Sequence, residues 1–398
     1  MSDFLGRMHA LPRGAIESIL LIVCILWALI VGIFSSWVML YAITGVGRSL
    51  AVAGLIVGVI PGALFLEVGQ PRHYPWLRKA LLALSFSVVV ILACVLIQSP
   101  SGKSRLGASV ANHWTQGDKF QRYTLANIVP EIEQVNMGFR IMPYVDPFLT
   151  REQAQRVSAY TLAMYKEMDE DHDFWQLGSV MNWAYADFLG YPFETGHYYL
   201  YIPKNRAAGA LPVIVFLHGN FGNFKTYIWA WAKLAEQGGY AIVAPSFGFG
   251  NWQKPEGTQA VLEALEDATR WVEIDENRLY LAGLSNGGLG ISRISYIAPD
   301  QFRGLIFISP VMVPEIVDRH DFQETWHRRP VLIITGEADE RIPLSYVRER
   351  ALQMEGAGIS VTYITYPGED HFLFFSQLDS VLSDISRWLK ETGEQAIP

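Results

Sequence analysis

Three long apolar stretches fill most of the first hundred residues. No charged side chain interrupts residues 18–44, 49–66 or 80–102. An α-helix needs about 20 residues to cross the roughly 30 Å hydrocarbon core of a bilayer, so each stretch is long enough or nearly so. The first is also too long for the apolar core of a signal peptide, which has about 7–15 residues. The pattern predicts an all-α transmembrane region of about three helices, with spans at 18–44, 49–66 and 80–100.

From residue 197 onward the pattern changes to short β-rich runs that alternate with helical ones. The candidate strands are HYYLYIP, LPVIVFLHG, YAIVAPS, RLYLAGLS, GLIFISP, VLIITGEAD and VTYITYPG. This alternation predicts an α/β fold with a doubly wound, mostly parallel sheet that helices cover on both faces. The chain is therefore expected to consist of a transmembrane region (1–102), a helical linker or lid segment (103–196) and an α/β domain (197–398).

The segment 103–196 has a helical pattern without a strong chemical signal. Thr150 and Gln153 have the spacing of a capping box, and apolar residues at helical spacing follow them. Residues 174–193 are rich in aromatic side chains. They are interpreted either as a lid or interfacial surface that delivers an apolar substrate, or as ordinary packing. The acidic run 169–173 lacks the ligand spacing and central glycine of a calcium loop, so it is interpreted as a solvated helix end.

Small and basic residues suggest how the apolar stretches are arranged. Gly54, Gly58 and Gly62 are four apart, so on a helix they form a smooth stripe where a second helix can approach closely. The stripe would serve packing among the chain's own helices or homo-oligomer formation. The two sets of loops carry Arg7, Arg13, Arg72, Arg78 and Lys79 on one side, and Arg48, Lys103 and Arg105 on the other. This excess predicts a multi-pass integral membrane protein with a cytoplasmic N-terminus and an extracytoplasmic C-terminal domain.

Composition and charge narrow the function classes. The 51% hydrophobic content agrees with a membrane protein. The net charge of -8 gives no basic surface for nucleic acid, so no nucleic-acid partner is expected. The two cysteines, Cys24 and Cys94, both lie in apolar stretches, which excludes a disulfide framework for the C-terminal domain.

The strongest chemical motif is Gly283-Leu284-Ser285-Asn286-Gly287. This G-x-S-x-G pattern follows the predicted strand RLYLA and opens a helical stretch, which is the strand–turn–helix setting the motif requires. Glycines on either side let the backbone turn sharply and lift the serine hydroxyl above the sheet. The context predicts that Ser285 is a nucleophile.

A serine hydroxyl needs a base to take its proton, and the base needs an acceptor to orient it. His371 follows the last predicted strand, where a loop could bring it over Ser285. Asp339, after the strand VLIIT, is the preferred acceptor; Glu337 and Asp370 are the other carboxylates nearby. All of these residues follow strands, so they are expected at one edge of the sheet.

The chain order Ser285, Asp339, His371 and the surrounding elements make residues 197–390, about half the chain, resemble the α/β-hydrolase family. The likeness is to its esterase and dienelactone-hydrolase-like or prolyl-oligopeptidase-like branches. The resemblance implies an oxyanion hole formed by the backbone N–H of Asn286 and that of Asn220 or Phe221, in the loop after LPVIVFL. His218, which opens that loop, is expected to shape it.

The resulting hypothesis is a membrane-anchored serine hydrolase that cleaves a carboxylic ester, either a small molecule or a lipid, through an acyl-enzyme. No metal or organic cofactor is implied. Two alternatives stay open. The same three residues could serve a peptidase, an amidase or an acyltransferase, or the domain could be a catalytically idle sensor or scaffold on a membrane part.

Overall fold

A computed structural model describes residues 13–69, 76–117, 119–206 and 208–393. The chain separates into two compact units. The helical unit comprises the residues up to Ser99 together with Ile128–Met137, and the sheet unit comprises Pro100–Asn127 and the residues from Gly138 onward. Arg7 and Arg72, which contributed to the orientation expected from sequence, lie outside the described residues.

The strands and helices are as follows. The strands are β1 (Val110–Trp114), β2 (His197–Tyr201), β3 (Leu211–Leu217), β4 (Ala241–Pro245), β5 (Ile274–Leu284), β6 (Gly304–Ile308), β7 (Pro330–Gly336) and β8 (Ser360–Tyr366). The helices before β2 are α1 (Arg13–Tyr41), α2 (Gly45–Gly69), α3 (Leu77–Gln98), α4 (Leu125–Ile128), α5 (Glu131–Ile141), α6 (Arg151–Glu170), α7 (His172–Gln176) and α8 (Met181–Phe188). The later helices are α9 (Lys225–Gly238), α10 (Pro255–Ala268), α11 (Gly287–Ile297), α12 (Pro314–Val317), α13 (His320–Trp326), α14 (Leu344–Gly356), α15 (Leu373–Ser376) and α16 (Leu378–Gly393).

The helices α1, α2 and α3 are each long and apolar enough to cross a membrane. They confirm the three apolar helices predicted from the first hundred residues, with bounds shifted by a few residues. In α2, a Cβ on Gly54 would lie 2.3 Å from the hydroxyl oxygen of Ser35, and one on Gly58 would lie 3.5 Å from Val31. A Cβ on Gly62 would meet nothing within 4 Å. Gly54 therefore lets α1 and α2 approach closely, whereas a Cβ on Gly58 would make only an ordinary contact, and an oligomer through this stripe stays a prediction.

The turn between α1 and α2 is capped by side chains from α5. The buried carboxylate of Glu133 accepts hydrogen bonds from the N–H groups of Ile43 (2.8 Å) and Thr44 (2.5 Å), and from the Thr44 hydroxyl (2.8 Å). The amide of Asn136 donates to the carbonyl of Tyr41 at 2.8 Å. The first N–H groups and last carbonyls of helices have no partner within the helix, so these contacts satisfy both helix ends at the turn.

The sheet unit is built on one eight-stranded sheet in the order β1-β2-β4-β3-β5-β6-β7-β8. The pairs β1/β2 and β2/β4 are antiparallel, and the remaining pairs are parallel. Every residue of β2, β3, β4 and β6 is buried, as expected for strands that helices cover on both faces. The doubly wound, mostly parallel α/β sheet predicted from the sequence is confirmed.

One strand departs from the predicted organisation. The segment 103–196 was expected to be helical, but Val110–Trp114 forms the edge strand β1 and pairs with β2. Its sequence, VANHW, places Asn112 and His113 in an edge strand with three half-buried positions, so it lacks the continuous apolar run of the other strands. The segment also supplies α5, whose first residues belong to the helical unit. The capping box at Thr150 and Gln153 is present at the start of α6.

Candidate active site

The turn between β5 and α11 holds Ser285 in a left-handed conformation. The φ angle of Ser285 is +53°, which is unusual for a residue other than glycine. Its N–H donates to the carbonyl of Ile308 at 2.9 Å, and its own carbonyl accepts from Gly288 (2.9 Å) and Val311 (3.0 Å). These backbone bonds offset the strain and fix the hydroxyl at the carboxyl edge of the sheet.

Close backbone approach explains why glycines flank the serine. A Cβ on Gly283 would lie 2.7 Å from the carbonyl carbon of Gly287. A Cβ on Gly287 would lie 2.3 Å from the carbonyl oxygen of Leu217, at the end of β3. Because real side chains do not approach backbone atoms this closely, only glycine fits at either position without moving the strands.

Ser285, His371 and Asp339 form one hydrogen-bonded chain. The Nε2 atom of His371 lies 3.0 Å from the Oγ of Ser285, and its Nδ1 lies 2.8 Å from an Oδ2 of Asp339. The side chain of Asp339 is fully buried. Since a carboxylate can only accept, the proton resides on Nδ1 and leaves the lone pair of Nε2 facing the serine hydroxyl.

The other oxygen of Asp339 is held by the backbone of its own loop. Its Oδ1 accepts hydrogen bonds from the N–H groups of Arg341 (2.9 Å) and Ile342 (2.8 Å). These two donors fix the rotation of the carboxylate and stabilise its charge. Neither alternative carboxylate reaches the imidazole: Glu337 accepts from the hydroxyl of Thr365 at 2.7 Å, and Asp370 points to Arg156.

The residues expected to supply the oxyanion hole lie beside the serine. The side-chain amide of Asn286 donates to the side-chain oxygen of Asn220, so the loop after β3 is joined to the turn of the nucleophile. Phe221 has a φ of +76°, and its ring is 38% exposed. Among the described residues, no acceptor takes the backbone N–H of Asn286, Asn220 or Phe221. These N–H groups therefore stay candidates for the oxyanion hole.

His218 is buried and shapes the same loop. Its Nδ1 donates to the carbonyl of Gly219 at 2.8 Å, and its Nε2 accepts from the N–H of Phe247 at 3.1 Å. Burial lowers the pKa of His218 to about 4, so the ring is neutral near pH 7. Both nitrogens are engaged, which agrees with a structural role and not with that of a second base.

Three phenylalanine rings from three different segments contact one another beside this loop. The ring of Phe221 packs edge-on against that of Phe249, with 4.9 Å between centroids, and Phe249 lies 5.1 Å from Phe188 at the end of α8. The carboxylate of Asp187 accepts from the N–H of Phe249 at 2.9 Å and lies 3.5 Å from the amine of Lys254. Phe188 belongs to the aromatic-rich residues 174–193, for which a lid or interfacial surface and ordinary packing were the two interpretations, and its contact with Phe249 brings it close to the loop after β3.

The order of the strands, the turn after β5 and the position of the loop after β3 together define the domain. The sheet unit has the α/β-hydrolase fold. Ser285 follows β5, Asp339 follows β7 and His371 follows β8, so all three lie where the parallel strands end. Among the residues that the structure describes, no three metal-binding side chains converge on a common point.

Comparison with known proteins finds esterases. The bifunctional acetylxylan esterase/xylanase XynS20E of Neocallimastix patriciarum is 32% identical over 100 residues, which are 23% of this chain and 14% of that protein. Esterase Rv0045c of Mycobacterium tuberculosis is 26% identical over 134 residues, 34% of this chain and 44% of that protein. The structure of Est1E from Butyrivibrio proteoclasticus gives a TM-score of 0.42 and 21% identity over 50% of this chain and 95% of that one. The chain thus covers less than half of either curated relative, and no family model matches it.

Proposed function

We propose that this α/β-hydrolase is a membrane-associated serine esterase in which Ser285 is the nucleophile, His371 the general base and Asp339 its orienting acid. The observation that carries the proposal is the hydrogen-bonded chain from Ser285 through His371 to Asp339, at 3.0 and 2.8 Å. The fold alone would not identify a reaction, because it supports many. A serine joined in this way to a base and a buried carboxylate is the arrangement that activates a hydroxyl for acyl transfer.

In the proposed mechanism, the Oγ of Ser285 attacks the ester carbonyl while Nε2 of His371 takes the hydroxyl proton. The imidazolium that forms keeps its Nδ1 proton in the hydrogen bond to Asp339. The carbonyl oxygen becomes an oxyanion and accepts hydrogen bonds from the N–H of Asn286 and from the Asn220–Phe221 loop. Removing one such donor typically costs about 10²–10³ in kcat, so these contacts carry a large part of the proposed catalysis.

The tetrahedral intermediate then collapses. Nε2 of His371 gives its proton to the leaving alcohol, and an acyl group remains bonded to Ser285. Water next attacks this acyl-enzyme while His371 takes a proton from it, and the second collapse releases a carboxylic acid and restores the serine hydroxyl. Both half-reactions use the same three side chains and the same oxyanion donors.

The choice of an ester over other acyl compounds has two supports outside the triad. Both curated relatives named above carry the word esterase in their names, one of them as a bifunctional esterase/xylanase. The exposed side chains of Phe188 and Phe221, with the half-buried Phe249 between them, also offer an apolar surface next to the proposed oxyanion loop. The three apolar helices favour a substrate that partitions into or near a bilayer, such as a lipid ester.

The first test is labelling of the detergent-solubilised chain with a fluorophosphonate probe. Wild type should be labelled and should turn over at least one p-nitrophenyl ester in an acyl-chain-length series. The Ser285→Ala variant should lose both properties. Ser295→Ala is the matched control, because Ser295 is a buried serine in α11 whose hydroxyl bonds only within the helix.

Absence of labelling in well-folded wild type would overturn the esterase proposal and favour a catalytically idle scaffold. If labelling occurs but esters are not hydrolysed, addition of an alcohol or amine acceptor separates an acyltransferase from a peptidase or amidase. Transfer to the acceptor in preference to water would identify the transferase. Cleavage of an amide substrate would identify the peptidase or amidase.

We also propose that the α/β-hydrolase domain lies outside the cytoplasm, on the basis of the basic residues that flank the apolar helices. Protease treatment of sealed vesicles with known orientation tests this. Digestion of the domain in right-side-out vesicles, and its protection in inverted ones, is the expected result. The opposite pattern would place the domain in the cytoplasm.

A further inference from the structure

The loops that carry Asp339 and His371 both form ion pairs with residues 139–170, which precede the hydrolase strands β2–β8 in the chain. We call these residues the bracing segment; it includes the last residues of α5, a short turn and α6. Neither ion pair is required by the strand topology, since the bracing segment contributes no strand to the sheet. These contacts therefore indicate a role for the bracing segment at the two loops.

The histidine loop is attached through Asp370, the residue before His371. Asp370 is buried, with 5% of its surface exposed. Its Oδ1 accepts the N–H of Phe372 at 3.0 Å, which fixes the backbone on the far side of His371. Its Oδ2 forms an ion pair with the guanidinium of Arg156 and accepts from the amide of Gln153 at 3.3 Å.

Both partners of Asp370 come from the first turns of α6, whose start is rigidly defined. Thr150 accepts from the N–H of Gln153 at 3.2 Å, and the side-chain oxygen of Gln153 accepts from the N–H of Thr150 at 2.9 Å. This reciprocal cap orients Gln153, and Arg156 lies one turn further on the same face. The helix end therefore presents two prearranged donors to one buried carboxylate.

The acid loop is attached through Arg341, two residues after Asp339. The backbone N–H of Arg341 donates to Asp339, while its side chain pairs with Asp146 at 2.6 Å. The guanidinium also lies 5.9 Å from the ring centroid of Phe148 and 5.8 Å from that of Phe372. Arg341 thus contacts the bracing segment, the acid and the residue after the base.

We propose that Arg156 and Asp146 are positioning residues of the triad. Through Asp370 and Arg341 they hold the two loops so that the imidazole stays in line between Asp339 and Ser285. This inference rests on the proposed esterase activity. Loss of Arg156 leaves the buried carboxylate of Asp370 without its cation, and such a group relaxes toward solvent, carrying His371 with it. A displacement of about 1 Å at a reacting group costs on the order of 10²-fold in rate.

The test compares Arg156→Gln with two other variants in the full-length, solubilised chain. Arg156→Gln should lower kcat and the rate of fluorophosphonate inactivation by about 10- to 100-fold. KM should change much less, because the substitution displaces the imidazole of His371 and not the surface that binds the substrate. Arg156→Lys should recover most of the loss, since the contact is made to a single carboxylate oxygen. Arg270→Gln is the matched control: Arg270 pairs with the buried Asp267 near the end of α10, and it should leave kcat unchanged.

A double variant protects the test against simple misfolding. In Arg156→Gln/Asp370→Asn, neither partner of this ion pair is left as an unpaired buried charge, so thermal stability should return toward wild type while kcat stays low. Asp146→Asn should act in the same direction as Arg156→Gln. Wild-type labelling rates in Arg156→Gln and Asp146→Asn would overturn the positioning role while leaving the esterase proposal intact. A Lys variant as slow and as stable as the Gln variant would also refute it. No labelling of wild type would instead refute the esterase.

Discussion

The Asp339→Asn substitution tests the proposed triad with the least structural change, because it replaces one oxygen by an amide nitrogen of nearly the same size. In the wild type, Oδ1 accepts two backbone N–H groups, from Arg341 at 2.9 Å and Ile342 at 2.8 Å. Oδ2 accepts the Nδ1 proton of His371 at 2.8 Å. An asparagine must therefore direct its single oxygen either to the backbone donors or to the imidazole.

The two backbone donors decide the orientation. If the amide nitrogen faced them, two partly buried N–H groups would lose their acceptor, at a cost of at most about 1–3 kcal/mol each. The oxygen therefore stays on the side of Arg341 and Ile342, and the NH2 group faces His371. Nδ1 must then accept, the ring proton moves to Nε2, and Nε2 loses the lone pair that takes the proton of Ser285. An imidazole held in this wrong tautomer typically lowers kcat by about 10⁴-fold, equal to about 5.5 kcal/mol of transition-state stabilisation.

The assay is turnover of the best p-nitrophenyl ester at saturating substrate, with thermal unfolding measured alongside. Asp339→Asn should lower kcat by three to four orders of magnitude, with a much smaller change in stability. Glu337→Gln is the control, because this carboxylate lies two residues away and bonds to Thr365. Activity of Asp339→Asn within tenfold of wild type, or an equal loss in Glu337→Gln, would refute the tautomer argument and the assignment of Asp339.

Three further predictions concern stability. Gly287→Ala puts a Cβ 2.3 Å from the carbonyl oxygen of Leu217 and should lower the melting temperature by several degrees, whereas Gly138→Ala, with open space around it in α5, should be neutral or stabilising. Because burial lowers the pKa of His218 to about 4 from 6.5, the unfolded chain binds a proton that the native chain does not between these values. Stability should therefore fall as pH decreases through this window, by up to about 1.4 kcal/mol per pH unit, and a chemical-denaturation series should show a smaller slope for His218→Asn. Glu133→Ala leaves the N–H groups of Ile43 and Thr44, just before α2, without their acceptor. The free energy of unfolding of the full chain, measured by calorimetry in detergent, should fall by about 1–2 kcal/mol. Unchanged melting in Gly287→Ala, equal pH slopes, or full stability of Glu133→Ala would each contradict the corresponding contact.

The three long apolar helices and the central strands could be predicted because their signals are local. A run of about 20 apolar residues has few alternatives to a membrane helix, and short β-branched runs between helical patterns have few alternatives to buried parallel strands. The G-x-S-x-G motif was also a local signal, since the clash at Gly283 is with Gly287 in the same turn, although the clash at Gly287 is with Leu217 of the neighbouring strand β3. These elements therefore agree closely between sequence and structure.

The edge strand β1 could not be predicted from its own residues. Asn112 and His113 are polar or ionisable, and the strand exists because they find partners in the folded chain. The amide of Asn112 donates to the carbonyls of Gly102 (3.0 Å) and Leu177 (2.7 Å), and its oxygen faces the buried imidazole of His197 at 3.0 Å. In the folded chain these partners satisfy the polar groups of β1. A sequence pattern shows only that the residues are polar, which counts as evidence against a buried strand.

The sequence favoured Asp339 as the carboxylate partner of His371 but left Glu337 and Asp370 as alternatives, for a related reason. Glu337, Asp339 and Asp370 all follow strands at the same sheet edge, and their spacing does not rank them decisively. The structure separates them by their other hydrogen bonds. Asp339 accepts from two N–H groups of its own loop, and Glu337 accepts from the hydroxyl of Thr365. Asp370 forms an ion pair with Arg156, which lies 214 residues away in the chain.

The ion pair between Arg156 and Asp370 shows why the role of the segment 103–196 could not be predicted from its sequence. Its residues act on the site through pairs separated by 214 and 195 positions, Arg156 with Asp370 and Asp146 with Arg341. No periodicity or spacing encodes such a pair, because each side chain alone has the pattern of a solvated charge on a helix or turn. The loops that carry Asp339 and His371 are also hydrogen-bonded to each other, since the N–H of Ala338 donates to the carbonyl of Glu369 at 2.9 Å. The two ion pairs add contacts from outside the sheet, and by our proposal these contacts help to hold the imidazole 3.0 Å from the serine hydroxyl.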